Sequence, residues 1–419
     1  MTSTSTAAGQ AVQKSELPNG LKIVTEHIDS IKSISAGIWV KTGSRNESDR
    51  QAGMTHFLEH MLFKGTENRS SFEIAQSMES VGGYLNAFTS TEYTCYYARC
   101  LDSKLKEALD VLSDMVRHST FPEEEMQKEK NVVLEEMKMY KDSPDDFILE
   151  EFSNQMFPDH PIGRPVLGFE DTVVSFTREG LFNYIDERYN PDNLLVAVAG
   201  NVQHEEVVRL CTQLLDIDSN GATVNEPQPI PPYNVTQNEL SKPIEQAHMI
   251  LGRRALNYDH PDKYLLLLAN TVLGGGMSSR LHQNIREKYG YCYSIGPFNQ
   301  SYVDSGLFGV YIGTDSDYVP HVRELIVKEF RRLQEEAIPE KELSEAKAHL
   351  KGKLLLSQEN TSNRMTRMAK SEIYFNRYIT LDELVENIDA VNSEDLRTFS
   401  EEFFDPEIYS ETLLVPEKK

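Results

Sequence analysis

Two histidines and a glutamate lie within five consecutive residues of this chain, in the order His56, Glu59, His60. If the segment is helical, His56 and His60 project from the same face, because they lie one turn apart. Two imidazoles so placed can bind one metal ion, and Glu59 can act on the water that the metal activates. The order H-x-x-E-H inverts H-E-x-x-H and keeps its two ligands and general base. The alternative is a pair of core histidines satisfied by carboxylates.

A catalytic zinc ion needs a third protein ligand, and the helix predicted at 122–141 is the richest source of carboxylates. Helical spacing places Glu129 and Glu136 on one face with apolar residues, whereas Glu135 falls on the wetter side. A carboxylate on a buried face needs a partner, because an unpaired buried charge is costly. We therefore predict Glu136 as a ligand and Glu129 as the acceptor for a ligand histidine. The alternative is a helix with an acidic outer face.

Hydrophobic periodicity predicts the elements that must position these residues. In the first half they are strands at 21–24, 33–40, 84–89 and 93–100, the motif helix, a helix opened by the capping box of Ser70 and Glu73, and helices at 104–117 and 122–141. In the second half they are strands at 248–251, 291–298 and 306–313 and helices at 262–273, 279–288 and 319–335. Since this order recurs, we predict an α+β fold of two similar halves, each a mostly antiparallel sheet packed with helices.

A change of composition divides the chain into four segments. We expect a flexible N-terminus at 1–16, a zinc-binding catalytic domain at 17–215, a proline-rich linker at 216–246 and a C-terminal domain at 247–419.

The net charge and the cysteine content exclude several classes of function. A formal charge of −24 opposes binding to nucleic acid, whose affinity comes from neutralised phosphates. The sequence contains no run of apolar residues long enough to span a membrane. Four cysteines without a C-x-x-C pair indicate free thiols in a reducing compartment. We therefore expect a cytoplasmic protein that binds neither nucleic acid nor membrane.

Three segments together resemble a known family: H-F-L-E-H-M-L-F-K-G-T, V-G-G-Y-L-N-A-F-T-S-T-E-Y-T and E-K-N-V-V-L-E-E-M. They are similar to the inverzincin zinc metallopeptidases, the M16 family of pitrilysin and insulin-degrading enzyme, in its short-chain branch. The resemblance implies one Zn²⁺ per chain, held by His56, His60 and Glu136. It also implies that Glu129 supports a ligand histidine and that Glu59 is the general base.

The resemblance also assigns residues outside the metal motif. It implies that the C-terminal domain contributes Arg286 and Tyr293 to the substrate site. These two residues are expected to reach the zinc site of a partner subunit and assist the developing oxyanion. It further implies that Asn86 and Ala87, on an edge strand, pair with an extended peptide. Without the resemblance, each residue has a structural alternative. Arg286 fits a surface salt bridge and Tyr293 fits a core aromatic. Asn86 and Ala87 fit an ordinary sheet strand.

We therefore expect a zinc metalloendopeptidase that hydrolyses peptides or unfolded segments. The resemblance favours a homodimer, with a heterodimer as the alternative. Two other functions remain open at this point. One is a non-catalytic subunit of a processing peptidase, and the other is a peptide-binding chamber whose metal is structural.

Overall fold

A computed structural model describes residues 3–7, 10–218 and 227–417 of the chain. The strands are β1 (Ser3–Ala7), β2 (Gln10–Glu16), β3 (Lys22–His27), β4 (Ser33–Val40), β5 (Tyr84–Thr89), β6 (Thr94–Leu101), β7 (Leu194–Gly200), β8 (Gln237–Lys242), β9 (Ala247–Arg254), β10 (Cys292–Ser301), β11 (Gly306–Thr314) and β12 (Ser410–Pro416).

The α-helices lie between these strands, and a π-helical segment spans His282–Glu287. The α-helices are α1 (Met54–Met61), α2 (Ser71–Glu79), α3 (Leu105–His118), α4 (Glu123–Asp142), α5 (Pro144–Met156), α6 (Glu170–Ser175), α7 (Arg178–Arg188), α8 (His204–Leu214), α9 (Lys263–Gly274), α10 (Val319–Glu335), α11 (Glu340–Ser357), α12 (Thr361–Phe375), α13 (Leu381–Ala390) and α14 (Ser393–Phe403).

The chain folds into two compact units, neither of which is continuous in the sequence. Unit 1 consists of Met1–Lys138, Arg164–Pro227 and Ser357–Thr380. Unit 2 consists of Met139–Gly163, Gln228–Leu356 and Leu381–Lys419.

Unit 1 is built on a seven-stranded sheet whose strand order is β1-β2-β3-β7-β4-β6-β5. Only β3 and β7 pair in parallel, and the other neighbours are antiparallel. Both faces of β7 are buried, which explains its continuous apolar run. Val196 and Val198 face the core that contains α1 and α3, whereas Leu195 and Ala197 pack with Met365 of α12.

Unit 2 has a five-stranded sheet whose strand order is β10-β11-β9-β12-β8, antiparallel except for β12 and β8. Phe308, Val310 and Ile312 of β11 face a core that includes Phe330 of α10. Ile250 of β9 lies in a separate apolar cluster with Ile148 and Phe152 of α5. Two sheets packed with helices confirm the predicted α+β fold of two similar halves.

The units differ from the predicted sequence domains 17–215 and 247–419 in the placement of two helices. Helix α5 lies in unit 2 although it comes from the first half of the sequence, and α12 lies in unit 1 although it comes from the second. Each of these helices packs an apolar face against a sheet, and which sheet that face covers depends on tertiary packing.

Two segments expected to lack regular structure contain strands. Gln10–Glu16 of the predicted flexible N-terminus, 1–16, form β2 and pair with β3. Gln237–Lys242 of the predicted linker, 216–246, form β8 and pair with β12, while 219–226 lie outside the described residues. Strand β8 lies at the edge of its sheet, and β2 lies next to an edge strand. Both are rich in polar residues, so their sequences lack the alternation of apolar and polar residues that predicts a strand.

None of the helices in the described part of the chain combines the length and the apolar character required to cross a bilayer.

Candidate metal centre

Helix α1 begins where the chain turns sharply at Gly53. This glycine has a φ of +90°, and a Cβ at this position would lie 2.3 Å from the carbonyl oxygen of Leu167. The first N–H groups of a helix have no partner within the helix. Here the buried Glu47 carboxylate accepts hydrogen bonds from the Gly53 and Thr55 N–H groups at 2.8 and 2.7 Å. An upstream side chain therefore fixes the start of the helix.

The structure brings His56 and His60 of α1 together with Glu136 of α4. Each histidine Nε2 lies 3.7 Å from Glu136 Oε2, and the three donor atoms all lie within 4.8 Å of one another. A separation of 3.7 Å is too long for a hydrogen bond. Donor atoms around a tetrahedral zinc ion are about 3.3–3.4 Å apart, given its usual bond lengths. The three residues therefore fit a zinc ion in both donor type and spacing.

A carboxylate and a lysine behind His60 orient its ring. Glu129 Oε2 lies 2.9 Å from His60 Nδ1, and Lys64 forms an ion pair with the other Glu129 oxygen. If Nδ1 donates to Glu129, the Nε2 lone pair of His60 faces Glu136 and can bind a cation. Burial opposes ionisation of Glu129, but the hydrogen bonds from His60 and Lys64 outweigh it and lower its pKa. The structure thus places Glu129 behind the metal centre.

His56 is held in its neutral form by its surroundings. Burial, together with the nearby His60, lowers the pKa of His56 to about 3. Its Nδ1 atom is buried and has no hydrogen-bond partner among the residues that the structure describes. A neutral imidazole with Nε2 directed at Glu136 is the form that binds a divalent metal.

Glu59 lies next to His60 in the sequence but makes a different contact. The Thr89 hydroxyl, at the end of β5, donates to Glu59 Oε2 at 2.5 Å. Burial raises the pKa of Glu59, and the hydrogen bond from Thr89 opposes that rise. A carboxylate with a raised pKa is suited to accept and return a proton near neutral pH.

Strand β5 forms one end of the sheet of unit 1, so one of its edges lacks a neighbouring strand within the described ranges. The Ala87 N–H donates to the Asn86 side-chain oxygen at 2.9 Å. The structure thus places both residues on an edge that an extended peptide could join by main-chain hydrogen bonds.

Arg286 and Tyr293 lie in unit 2, whereas the metal-binding residues lie in unit 1. The Arg286 guanidinium lies 5.5 Å from the centroid of the Tyr293 ring and also donates to His282 and Glu287. Tyr293 is 82% exposed, which is incompatible with a core aromatic. Arg286 also forms the surface salt bridge that was its alternative, since its guanidinium lies 3.1 Å from the Glu287 carboxylate.

Four residues that support this centre were not predicted from the sequence: Glu47, Gly53, Lys64 and Thr89. Gly53 carried a usable signal, because a glycine just before a helix is a frequent N-cap. The other three act through contacts between separate elements, for which the sequence offers no periodic pattern.

Comparison with known proteins relates both halves of the chain to one family. Residues 22–170 match the family described as insulinase, peptidase family M16, and residues 175–350 match the peptidase M16 inactive domain. An uncharacterised zinc protease, YmxG of Bacillus subtilis, is 40% identical and covers 95% of this chain and 97% of its own. Another, SCO5738 of Streptomyces coelicolor, is 39% identical over 92% of this chain and 86% of its own.

Two solved structures share the fold. A protease from Helicobacter pylori superposes with a TM-score of 0.88 at 23% identity, covering 97% of this chain and 99% of that one. A peptidase M16 inactive domain from Pseudomonas fluorescens has a TM-score of 0.90 at 19% identity, covering 97% and 98%.

Because Gly53 forms a tight turn before α1, we expect its replacement by alanine to weaken metal binding. Gly53→Ala adds a Cβ clash with the Leu167 carbonyl to the strain of a left-handed residue, which we expect to cost about 3 kcal/mol or more. Displacement of α1 should weaken zinc binding by about 10-fold or more. Unfolding in urea and zinc competition with a chromogenic chelator measure the two effects.

Gly82→Ala is the matched control for this turn. Gly82 has a φ of +74°, but a Cβ there meets nothing within 4 Å. Only the conformational strain of about 1–2 kcal/mol should appear, with zinc affinity unchanged. Equal effects of the two variants on zinc affinity would contradict a role of Gly53 in placing α1.

Because Glu47 is buried, we expect the free energy of unfolding to depend on pH. Burial raises the pKa of Glu47 from 4.5 to about 7, despite the N–H donors of Thr55 and Gly53. Between these two pH values the folded protein holds a proton that the unfolded chain has released, so the free energy of unfolding falls as pH rises. This fall amounts to about 3 kcal/mol.

The Glu47→Gln variant should lack that part of the pH dependence, because its side chain does not ionise. Urea denaturation of zinc-free protein from pH 4.5 to 7.5 measures the difference. Glu135→Gln, which removes an exposed carboxylate of α4, is the control and should follow the wild type. Parallel curves for Glu47→Gln and the wild type would exclude a pKa shift at Glu47.

Proposed function

The chain belongs to the M16, or insulinase, family of peptidases, and from that membership we propose that it is a zinc-dependent metalloendopeptidase. Its substrates are peptides or unfolded segments. The observation that carries this proposal is the convergence of His56, His60 and Glu136 on one point, with Glu59 on the same helix as the two histidines.

The proposed centre keeps the division of roles that peptide hydrolysis requires. His56, His60 and Glu136 would hold one zinc ion and leave a coordination position open. Bound zinc lowers the pKa of water and polarises a carbonyl group. Glu59 accepts the proton of the attacking water and passes it to the leaving amine. Glu129 holds the His60 ring in the orientation that directs Nε2 toward Glu136.

The substrate is proposed to bind along β5 as an additional strand. Asn86 and Ala87 lie on the open edge of the sheet, where main-chain hydrogen bonds can hold an extended chain. Such binding places few demands on side chains, which suits peptides of varied sequence. It also requires an extended backbone, so folded segments are excluded.

Arg286 and Tyr293 are proposed to donate hydrogen bonds to the substrate carbonyl and to the oxyanion that develops from it. The exposure of Tyr293 and the closeness of the Arg286 guanidinium to its ring support a joint role at a surface. We propose that a second copy of the chain presents this pair to each zinc site, so that the protein works as a homodimer.

Three glutamate variants test the proposed hydrolysis. Glu136→Gln should lose both zinc and hydrolysis, because the charged third ligand is removed. Glu59→Gln should retain zinc and lose turnover by a factor of about 10²–10⁴, because only the base is removed. Zinc content by atomic absorption and cleavage of a quenched fluorescent peptide measure the outcomes.

Glu135→Gln is the matched control, because Glu135 precedes Glu136 on α4 but is exposed and paired with Lys138. It should keep zinc and activity. Zinc without cleavage in the wild type would favour a peptide-binding chamber with a structural metal. Neither zinc nor cleavage in the wild type would favour a non-catalytic subunit.

Mixed dimers test whether the sites are composite. Tyr293→Phe removes one proposed oxyanion donor and should lower kcat by about 10²-fold. A dimer with one Glu59→Gln chain and one Tyr293→Phe chain, purified through two different tags, should recover about half of the wild-type activity. It does so because the Tyr293 donor of the first chain serves the intact Glu59 of the second. Activity no higher than in either parent would refute partner-supplied donors.

A further inference from the structure

The last residue of β5 holds the side chain of Glu59. Thr89 Oγ1 donates to Glu59 Oε2 at 2.5 Å, a short distance typical of a hydroxyl bound to a charged carboxylate. Among the residues that the structure describes, Thr89 is the hydrogen-bond donor that contacts this carboxylate. The other groups that act on it, His60 and Glu136, do so through their charges.

Helix α1 alone does not fix the position of that carboxylate. The helix sets the Glu59 Cα, but several rotatable bonds separate the Cα from the carboxylate oxygens. A general base must lie within hydrogen-bond reach of the proton that it abstracts, and a displacement of about 1 Å can cost about 10²-fold in rate. A second contact, from outside the helix, is therefore required for a defined geometry.

Thr89 can supply that contact because its own position is constrained. Thr89 is β-branched, which leaves few side-chain rotamers. The turn that follows it is fixed by the Ser44 N–H donating to the Ser90 carbonyl at 3.2 Å and the Arg45 N–H donating to the Thr91 carbonyl at 2.9 Å. A buried ion pair between Arg45 and Glu92 anchors the same turn.

The alternation of side chains along β5 directs Thr89 toward α1. Leu85 and Ala87 pack against the core that contains α1, whereas Phe88 packs on the opposite face of the sheet. Thr89 follows Ala87 by two residues and shares its face. The strand with the open edge thus also carries the hydroxyl that binds Glu59.

We infer that Thr89 is a positioning residue for peptide hydrolysis: its hydroxyl fixes the Glu59 carboxylate for proton transfer. The inference rests on the proposed function, since it assigns Glu59 the role of base. It adds that the substrate-binding strand and the base are joined by one hydrogen bond.

The test compares two substitutions at position 89. Thr89→Val keeps the shape and removes the hydroxyl, so kcat should fall by about 10- to 100-fold, while KM stays within about twofold and zinc content is unchanged. Thr89→Ser restores the hydroxyl and should return kcat to within about threefold of wild type. A wild-type kcat in Thr89→Val would overturn the inference, as would a failure of Thr89→Ser to recover activity.

Thr94→Val is the matched control, because Thr94 is the cross-strand partner of Thr89 and its buried hydroxyl donates to the Thr42 carbonyl instead. It should lower the melting temperature and leave kcat unchanged. An equal loss of kcat in Thr94→Val and Thr89→Val would assign the effect to the hairpin as a whole and overturn the inference.

A readout without turnover tests the same hydrogen bond. Thr89→Val should lower the melting temperature of zinc-free protein more in the wild type than in a Glu59→Ala background, where no carboxylate loses its donor. Equal shifts in both backgrounds would overturn the inference. The absence of hydrolysis in wild-type zinc protein would instead refute the proposed function, whatever the two shifts are.

Discussion

The structure of the candidate site depends on the packing of α1 against α4, which brings two imidazoles within 3.7 Å of the Glu136 carboxylate. Neither helix creates this arrangement alone. The start of α1 is fixed by Glu47 and by the turn at Gly53, and the ring of His60 is fixed by Glu129 on α4. A shift of one helix by a single turn, about 5.4 Å, would separate the donor atoms beyond the reach of one ion.

The pairing of charges in unit 1 supports a cation at this point. Two buried carboxylates nearby have cationic partners: Glu129 pairs with Lys64, and Glu92 pairs with Arg45. Within the described residues, the ion-pair partners of Glu136 are the two histidines, one of which is neutral because burial and its neighbour lower its pKa. A partly buried carboxylate that faces a neutral imidazole on one side is incompletely compensated, and a divalent ion supplies the missing positive charge.

The donor residues could be predicted from the sequence because their relation is local or periodic. His56 and His60 follow from helical spacing, and Glu136 was separated from Glu135 by the face on which each falls. The placement of α5 in unit 2 and of α12 in unit 1 was not predictable, since an apolar helix face does not specify which sheet it covers. Thr89 also escaped prediction, because its contact joins a strand and a helix that are distant in the sequence.

The hydrogen bond between Thr89 and Glu59 gives the open edge of β5 a second consequence. On the proposed function, a peptide that pairs along β5 lies on the same strand as the hydroxyl that holds Glu59. The turn after Thr89 is fixed by main-chain hydrogen bonds, so the carboxylate is in place before a peptide binds and no binding energy is needed to order it. An edge strand that carried only backbone contacts would bind a peptide without fixing the base. The location of Thr89 on β5 therefore couples the proposed peptide site and the proposed base within one strand.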